Sequence, residues 1–477
     1  MNSTNYEKAL THPIYDIVAK AADMLGLEAY VVGGVVRDII MHRHNTDIDI
    51  VTVGSGIQLA RKSAELISPD LHVNVYRNFG TAQFNYDGYV IEFVGARRES
   101  YSRDSRKPVV EDGTLEDDQL RRDFTINAMA IALNGNRART LIDPFNGIGD
   151  IKGKLIRTPC DPDKTFSDDP LRMMRAIRFA TQLNFNIYPE TKESIQRNAA
   201  RLDIISKERI IEEFNKILHC LRPSIGIRLL DECGLLERFL PELTALKGVQ
   251  TINGKGHKDN YIHTLEVVDN IAMTSPNIWL VWAALLHDIA KPVTKRFVPA
   301  VGWTFHGHDA VGARMAAEIF RRLHLPNNEK MKYVQKLVGL HLRPIALVED
   351  TITDSAVRRL LFEAGDDIDD LMMLCEADVT SKNSAKIQKC FRNFAKVREK
   401  LAEIEEKDKV RNWRPPFTGE DIMQAFGLKP CREIGIIKDA VCNAILDGEI
   451  ENTRETALKQ MIIEGEKLGF TAVNIPD

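Results

Sequence analysis

GGVVRDIIMHRHNTDIDI, residues 33–50, sets two glycines and an Arg37-Asp38 pair just ahead of two aspartates, Asp47 and Asp49, one residue apart. TDIDIV alternates. As a strand it puts Asp47 and Asp49 on one face and Ile48 and Ile50 on the other. Two carboxylates on one side of a strand end can share divalent metal ions, and Mg2+ is commonly held by one or two carboxylates together with substrate phosphates. Such a site lowers the pKa of an attacking hydroxyl and neutralises a leaving pyrophosphate. Gly33 and Gly34 let backbone amides approach a phosphate closely, and Arg37 can clamp it. Taken alone, the same residues also suit an edge strand whose acids face solvent.

Outward from that stretch, residues 1 to about 157 read as mixed α/β, with LEAYVVGG, TDIDIVTV and DGYVIEFVG as short strands broken by glycine and Asp-Gly turns. From Thr165 to about residue 380 the apolar spacing becomes helical, as in PLRMMRAIRFATQL. NGKGH (253–257) is a polar break, and RNWRPPFTG (411–419) is a proline-bounded linker into a small helical tail. A chain of 477 residues exceeds what one core serves, so two to four domains are expected. The longest wholly apolar run, IWLVWAALL (278–286), is too short to span a bilayer, so no membrane partner is expected. Seven scattered cysteines form no C-x-x-C pair, which predicts a reducing cytoplasm and no structural zinc. With a net charge of −4, a polyanion must be held by a local basic surface. Residues 382–414 carry eleven Lys/Arg against five Asp/Glu, which suits a solvated helix face or a phosphate-tracking surface.

Downstream of the aspartates come RRDFTINAMAI (121–131), DPFNGIGDI (143–151) and SDDPLRMMRAIRFA (167–180). In the last, Asp169 and Arg172 stand three apart, neighbours on one helix face; a carboxylate beside a guanidinium fork can hydrogen-bond a nucleobase edge, although a salt-bridged helix would look the same. Arg175 and Arg178 extend this into a basic ridge suited to phosphates. Together and in this order, the motifs resemble the class II tRNA nucleotidyltransferase and bacterial poly(A) polymerase family, from residue 28 to about 220. The resemblance implies that Asp47 and Asp49 are catalytic and bind Mg2+, and that Gly33, Gly34 and Arg37 hold the triphosphate. It implies that Arg122 and Asp123 face triphosphate and ribose with Asn127 in support. Asp169 and Arg172 become a protein template for the Watson–Crick edge of CTP or ATP, with Arg175 and Arg178 near the nucleotide. Asp168 stands where members often have Glu. Ser206, Arg209 and Glu212 resemble a later helix-start motif and read as capping and bracing. Glu92 is either a further acid near the metals or, preferably, an arginine's partner. The long charged segment 96–124 resembles the full-length loop of members that complete CCA.

WAALLHDIAKP (282–292) offers His287-Asp288 at the end of an apolar helix, with His263 upstream and His308, His341 and Asp378 downstream. Four histidines and two aspartates make a mixed nitrogen and oxygen set suited to Mn, Fe, Ni or Co. The ordered set resembles an HD-superfamily metal-dependent phosphohydrolase, with 2′,3′-cyclic phosphates or small nucleotides as implied substrates, or a vestigial RNA-binding domain. His308 fits the pattern better than His306. The tail resembles the C-terminal helical segment of HD-containing members, with Cys431 where glycine is common; Gly427, Pro430 and Gly435 either offer amides to an RNA phosphate or make a packing turn.

The expected fold is α+β: a small mixed-sheet, polymerase beta-like nucleotidyltransferase head followed by an elongated all-α remainder. The expected domains are the head (1–157), a helical neck and body (158–250), an HD domain (251–385), and a basic helix with helical tail (386–477). The expected function is addition of CMP, CMP and AMP from CTP and ATP to tRNA lacking CCA. The alternatives are a poly(A) polymerase or A-adding enzyme, and an HD-domain nucleotide or cyclic-phosphate hydrolase.

Overall fold

The computed structural model describes residues 6, 9–77, 80–100, 109–252, 256, 258–349, 353–380, 383–408, 411, 413 and 415–474. Residues 101–108 of the charged loop, 253–255 and 257 of NGKGH, Lys382, Asn412 and Arg414 lie outside them. The chain forms two compact units, Met1–Pro241 and Glu242–Asp477.

The first unit opens with helix α1 (Ile14–Leu25), whose Ile14, Val18, Ala21 and Ala22 form one buried stripe and which ends on left-handed Gly26. Strand β1 (Glu28–Val32), helix α2 (Gly34–Ile40), strand β2 (Asp47–Val53) and helix α3 (Gly56–Ile67) follow. Strands β3 (Asn74–Tyr76), β4 (Thr81–Tyr86) and β5 (Tyr89–Gly95) precede a separate hairpin, β6 (Arg97–Ser100) with β7 (Val109–Asp112). Helix α4 (Leu115–Leu120), strands β8 (Ala130–Ala132) and β9 (Leu141–Ile142) and helix α5 (Gly147–Gly153) complete the mixed layer.

Seven strands form one sheet in the order β3-β4-β5-β2-β1-β8-β9. Only β2 and β5 run parallel in it; Asp47 lies opposite Val90, and Asp49 opposite Glu92. The predicted strands LEAYVVGG, TDIDIVTV and DGYVIEFVG are β1, β2 and β5. Along β2 the predicted alternation holds at its start: Ile48 and Ile50 enter the core with Phe84, Ile91 and Phe93, beneath α1 and α3, while Asp47 is exposed and Asp49 half-buried. Burying side chains of this size contributes about 1.5 to 3 kcal/mol each, so the apolar face fixes the register that puts both acids on the other side.

The rest of this unit is helical: α6 (Pro162–Asp168), α7 (Leu171–Leu183), α8 (Pro189–Asn198), α9 (Lys207–Leu218) and α10 (Pro223–Glu232). A short parallel pair, Leu155–Ile156 with Asn186–Ile187, ties the start of this region to the end of α7. Gly226 lets α10 come close, since a Cβ there would meet Ile217 and Thr181 at 2.5 Å.

In the second unit, helices Asn260–Thr274, Ile278–Leu286, His308–Arg322, Glu329–Leu340 and Ile368–Asp378 surround buried Trp282, Phe320, Val338 and Leu371. The long helix Ser384–Asp408 follows. Helices Gly419–Phe426, Arg432–Asp447 and Arg454–Lys467 make a separate core of Ile422, Phe426, Ile437, Val441 and Met461. There Gly427 is a left-handed helix cap, and Gly435 lies exposed near the start of a helix, where an added Cβ would meet no neighbour. Among the described residues no helix is long and apolar enough to cross a membrane.

Two candidate functional sites

The first site is a cavity of about 540 Å3 in the first unit, open above the ends of β1 and β2. Gly33 turns the chain from β1 into α2 with φ 79° and ψ −140°, a conformation that L side chains rarely adopt. A Cβ there would meet Arg122 Nη1 at 2.9 Å and Asp49 Oδ2 at 3.2 Å. The missing side chain therefore lets a strand carboxylate and the RRDF arginine converge on one backbone turn. Burial pushes the Asp49 carboxyl up to about 6; Arg122 opposes this, and Glu92, Asp47 and Asp118 add to it. A group of acids that raises its own proton affinity, with oxygen donors on one strand face, fits a hard divalent cation.

Behind these acids runs a continuous hydrogen-bonded chain. Asn45 accepts from the Asp47 amide and donates to Asp38, both at 2.8 Å. Arg37 grips Asp38 with two bonds of 3.0 and 2.9 Å and donates to Asn127 at 2.9 Å. Asn127 donates to Asp123 at 3.0 Å, and Asp123 receives Arg175 Nε at 2.8 Å. Arg37 is buried in these bonds and braces the turn, while still lining the cavity. Burial would raise the Asp123 carboxyl, but Arg175, with Asn127 and Arg172, holds it down at about 2. Arg178 is likewise engaged, donating to buried Glu213 at 2.7 Å over the Phe179 ring. Arg175 and Arg178 thus line the cavity as carboxylate-anchored donors.

Asp169 precedes α7, one residue before its N-cap Pro170, so it is not on the helix face as expected. Its Oδ1 accepts the Leu171 amide at 3.2 Å, and its Oδ2 lies 3.9 Å from Arg209. Arg172 reaches back to the Arg121 carbonyl at 2.8 Å. Both still border the cavity, and the helix-start geometry aims them at it.

Sequence reasoning missed four residues. Arg209 was read as a brace, yet it lines the cavity, and Asn45 orients the start of β2. Asp118, wholly buried, takes Arg121 on one oxygen and Arg122 on the other. Phe179 lies beneath Arg178, Arg37 and Arg175. The i,i+3 and i,i+4 spacing of Asp118 to Arg121 and Arg122 was the available signal. No arginine ion pair to Glu92 occurs among the described residues; it lies opposite Asp49 and adds to its negative surroundings.

The second site brings all six predicted HD residues together in the second unit, as the triads His263, His287, Asp378 and Asp288, His308, His341. Asp288 joins them, with Oδ2 3.2 Å from His287 Nε2 and Oδ1 3.3 Å from His308 Nε2. His287, His308 and His341 each turn Nδ1 onto a carbonyl, those of Ala284, Phe305 and Val338, at 2.8, 2.8 and 2.7 Å. An Nδ1–H donated to a carbonyl leaves the Nε2 lone pair for a metal. The Nε2 atoms of His308 and His341 face each other at 3.3 Å, and that of His287 is buried beside the Asp288 carboxylate. Buried lone pairs converging in this way fit a cation between them. Lys291 reaches Asp288 at 2.5 Å and Lys258 reaches His263 Nδ1 at 2.8 Å; neither was singled out from the sequence.

Comparison with known proteins gives matches to the Poly A polymerase head domain over residues 29–157, to the "Probable RNA and SrmB- binding site of polymerase A" over 184–247, and to the HD domain over 260–382. The chain is 33% identical to an A-adding tRNA nucleotidyltransferase of Deinococcus radiodurans, over 72% of this chain and 77% of the relative. It is 31% identical to a multifunctional CCA protein of Shewanella frigidimarina, over 75% and 84%. Identity to a CC-adding tRNA nucleotidyltransferase of Thermus thermophilus is 30%, over 90% and 92%. Among solved structures, the Bacillus stearothermophilus CCA-adding enzyme in complex with CTP matches with a TM-score of 0.65 and 25% identity, over 96% of this chain and 99% of that one.

Proposed function

This chain belongs to the tRNA nucleotidyltransferase and poly(A) polymerase family and is a nucleotidyltransferase, and from that premise we propose that it adds CMP, CMP and AMP from CTP and ATP to the 3′ end of tRNA lacking CCA. The observation that carries this reading is one cavity bordered both by the Asp47/Asp49 face and by the Asp169/Arg172 helix entry. Asp47 and Asp49 would hold a divalent cation, Mg2+ in this reading, whose charge would lower the pKa of the RNA 3′-hydroxyl and offset that of the departing pyrophosphate. Gly33 and Gly34 bring backbone close to the phosphates, and Arg122, held by Asp118, donates to them. Asp123 and Asn127 position the ribose side through the chain that ends on Arg175.

Base choice follows from donor and acceptor order. On their Watson–Crick edges cytosine and adenine both present an amino donor beside a ring-nitrogen acceptor, which a carboxylate acceptor and a guanidinium donor complement. Guanine and uracil present the reverse order and would leave buried polar groups unpaired, which costs roughly 1 to 3 kcal/mol per group. One Asp169/Arg172 pair therefore serves both CTP and ATP.

The HD residues support a second, separate activity, metal-dependent hydrolysis of a phosphoester, with Mn, Fe, Ni or Co held by the two triads. The two activities separate by mutation. Asp47→Ala with Asp49→Ala is expected to lower labelled-CMP incorporation into tRNA by at least about 100-fold, the scale on which losing one electrostatic catalytic contact is felt. Asp288→Ala is expected to remove transition metal, measured by plasma mass spectrometry, and to leave incorporation intact. Undiminished incorporation by the Asp47→Ala, Asp49→Ala protein overturns the assignment of the first site.

A further inference from the structure

Residues 379–398, VTSKNSAKIQKCFRNFAKVR, contain six Lys/Arg and no Asp or Glu. Most of this stretch opens the helix Ser384–Asp408. That helix is anchored by Phe394, Val397, Leu401 and Ile404, each at most 6% exposed. Beside this buried stripe, Lys386, Lys389, Arg392 and Lys396 are all exposed and follow one another at spacings of three, three and four residues. That spacing keeps them on one flank, over an axial distance of about 15 Å.

The two halves of the helix treat their cations differently. Arg398 is bound to Glu376 at 2.8 Å, and Lys400 to Asp354 and Glu403 at 3.0 Å each. Lys386, Lys389, Arg392 and Lys396 make no ion pair among the described residues, and the sequence places no acid within a helical turn of the first three. Like charges three and four apart on a helix repel one another by a few tenths of a kcal/mol per pair, a cost with no return inside the protein. Phe391, 46% exposed, adds an unburied aromatic ring to the same segment.

We propose that the first half of the helix Ser384–Asp408 is an RNA-backbone-binding surface, on which Lys386, Lys389, Arg392 and Lys396 neutralise consecutive phosphates of the tRNA. The proposal rests on tRNA being the substrate, and it places RNA contact on the second unit, outside the residues matched by the head, RNA-binding and HD families. An RNA backbone suits the pattern better than an acidic protein patch, because evenly spaced mobile cations match evenly spaced phosphates and a single aromatic can stack on a base.

The test is the salt dependence of tRNA binding by the full chain. Replacing the four cations together (K386Q/K389Q/R392Q/K396Q) is expected to lower the slope of log K against log salt by about three, and to weaken binding about ten-fold or more near 0.1 M salt. The charge-conserving K386R/K389R/K396R protein should keep both slope and affinity. Should the quadruple variant lose its cooperative melt, K386Q/K389Q and R392Q/K396Q are each expected to lower the slope by about half as much. An unchanged slope overturns the proposal. So does an unchanged slope combined with lost binding to phosphatidylserine vesicles, which assigns the surface to anionic membrane. Wild-type protein that fails to extend the same tRNA defeats the substrate reading instead, so the two failures are distinguishable.

Discussion

Asp118 has no exposed side-chain surface and carries Arg121 and Arg122 on its two oxygens at 2.5 and 2.9 Å. Burial pushes its carboxyl up, but the two guanidinium groups outweigh that and hold it below the usual range. Asp118→Ala strands two cations, Arg121 and Arg122, which line the cavity of the first site. It should destabilise the protein by about 3 kcal/mol, read by urea denaturation, and weaken CTP binding, read by titration calorimetry. Neighbouring Asp117 caps helix α4 through Thr114, so two adjacent acids in LEDDQL do unrelated work. The sequence shows both and marks neither, because which acid turns inward depends on packing behind β2.

Asp49 gives a pH-dependent outcome. Its folded pKa, about 6, lies above the ordinary 3.8, so its ionisation destabilises the native state as pH rises from about 4 through 6. A cation at the acids relieves that cost only where the carboxylate is ionised. The Mg2+-induced rise in melting temperature should therefore be larger at pH 7.5 than at pH 5.5; an equal rise at both contradicts the site's electrostatics.

Among the elements, β2 was legible because alternation alone separates its acids from its isoleucines. The entry to α7 was not. Helical spacing paired Asp169 with Arg172, but Pro170 takes the N-cap, and the carboxylate faces the cavity from outside the helix. This leaves Arg172 as the donor that the helix fixes. Arg172→Lys keeps the charge and loses the fork. Misincorporation of UMP relative to CMP should rise about ten-fold or more, read by competition in single-turnover assays. The HD residues were legible as a set because His263, His287-Asp288, His308, His341 and Asp378 follow one another in the order of a known family, which no single histidine reports. Their division into two triads joined by Asp288 was not. Asp288→Ala should therefore cost both metal equivalents, whereas His263→Ala should cost one, by elemental analysis.

At the scale of the whole molecule, the long motifs of the head and the His-Asp set marked two groups of site residues at separate places in the chain, and they fall in separate units of the structure. What stayed hidden was the internal neutralisation. Arg175 and Arg178 read as a ridge suited to phosphates, and Asp123 and Glu213 hold them. Those two pairings join residues 52 and 35 positions apart, which no local spacing reports, whereas Arg37 and Asp38 are neighbours in the sequence. The relatives add A, CC or CCA according to their names, so the number and order of additions is the central question. It is tested most directly by incubating the protein and Mg2+ with tRNA transcripts ending at the discriminator, at CC and at CCA, each with CTP, ATP or both, and sizing the products. We predict three additions that then stop, with A entering only after CC; tailing by A without a stop, or A added only to transcripts already ending in CC, would contradict it.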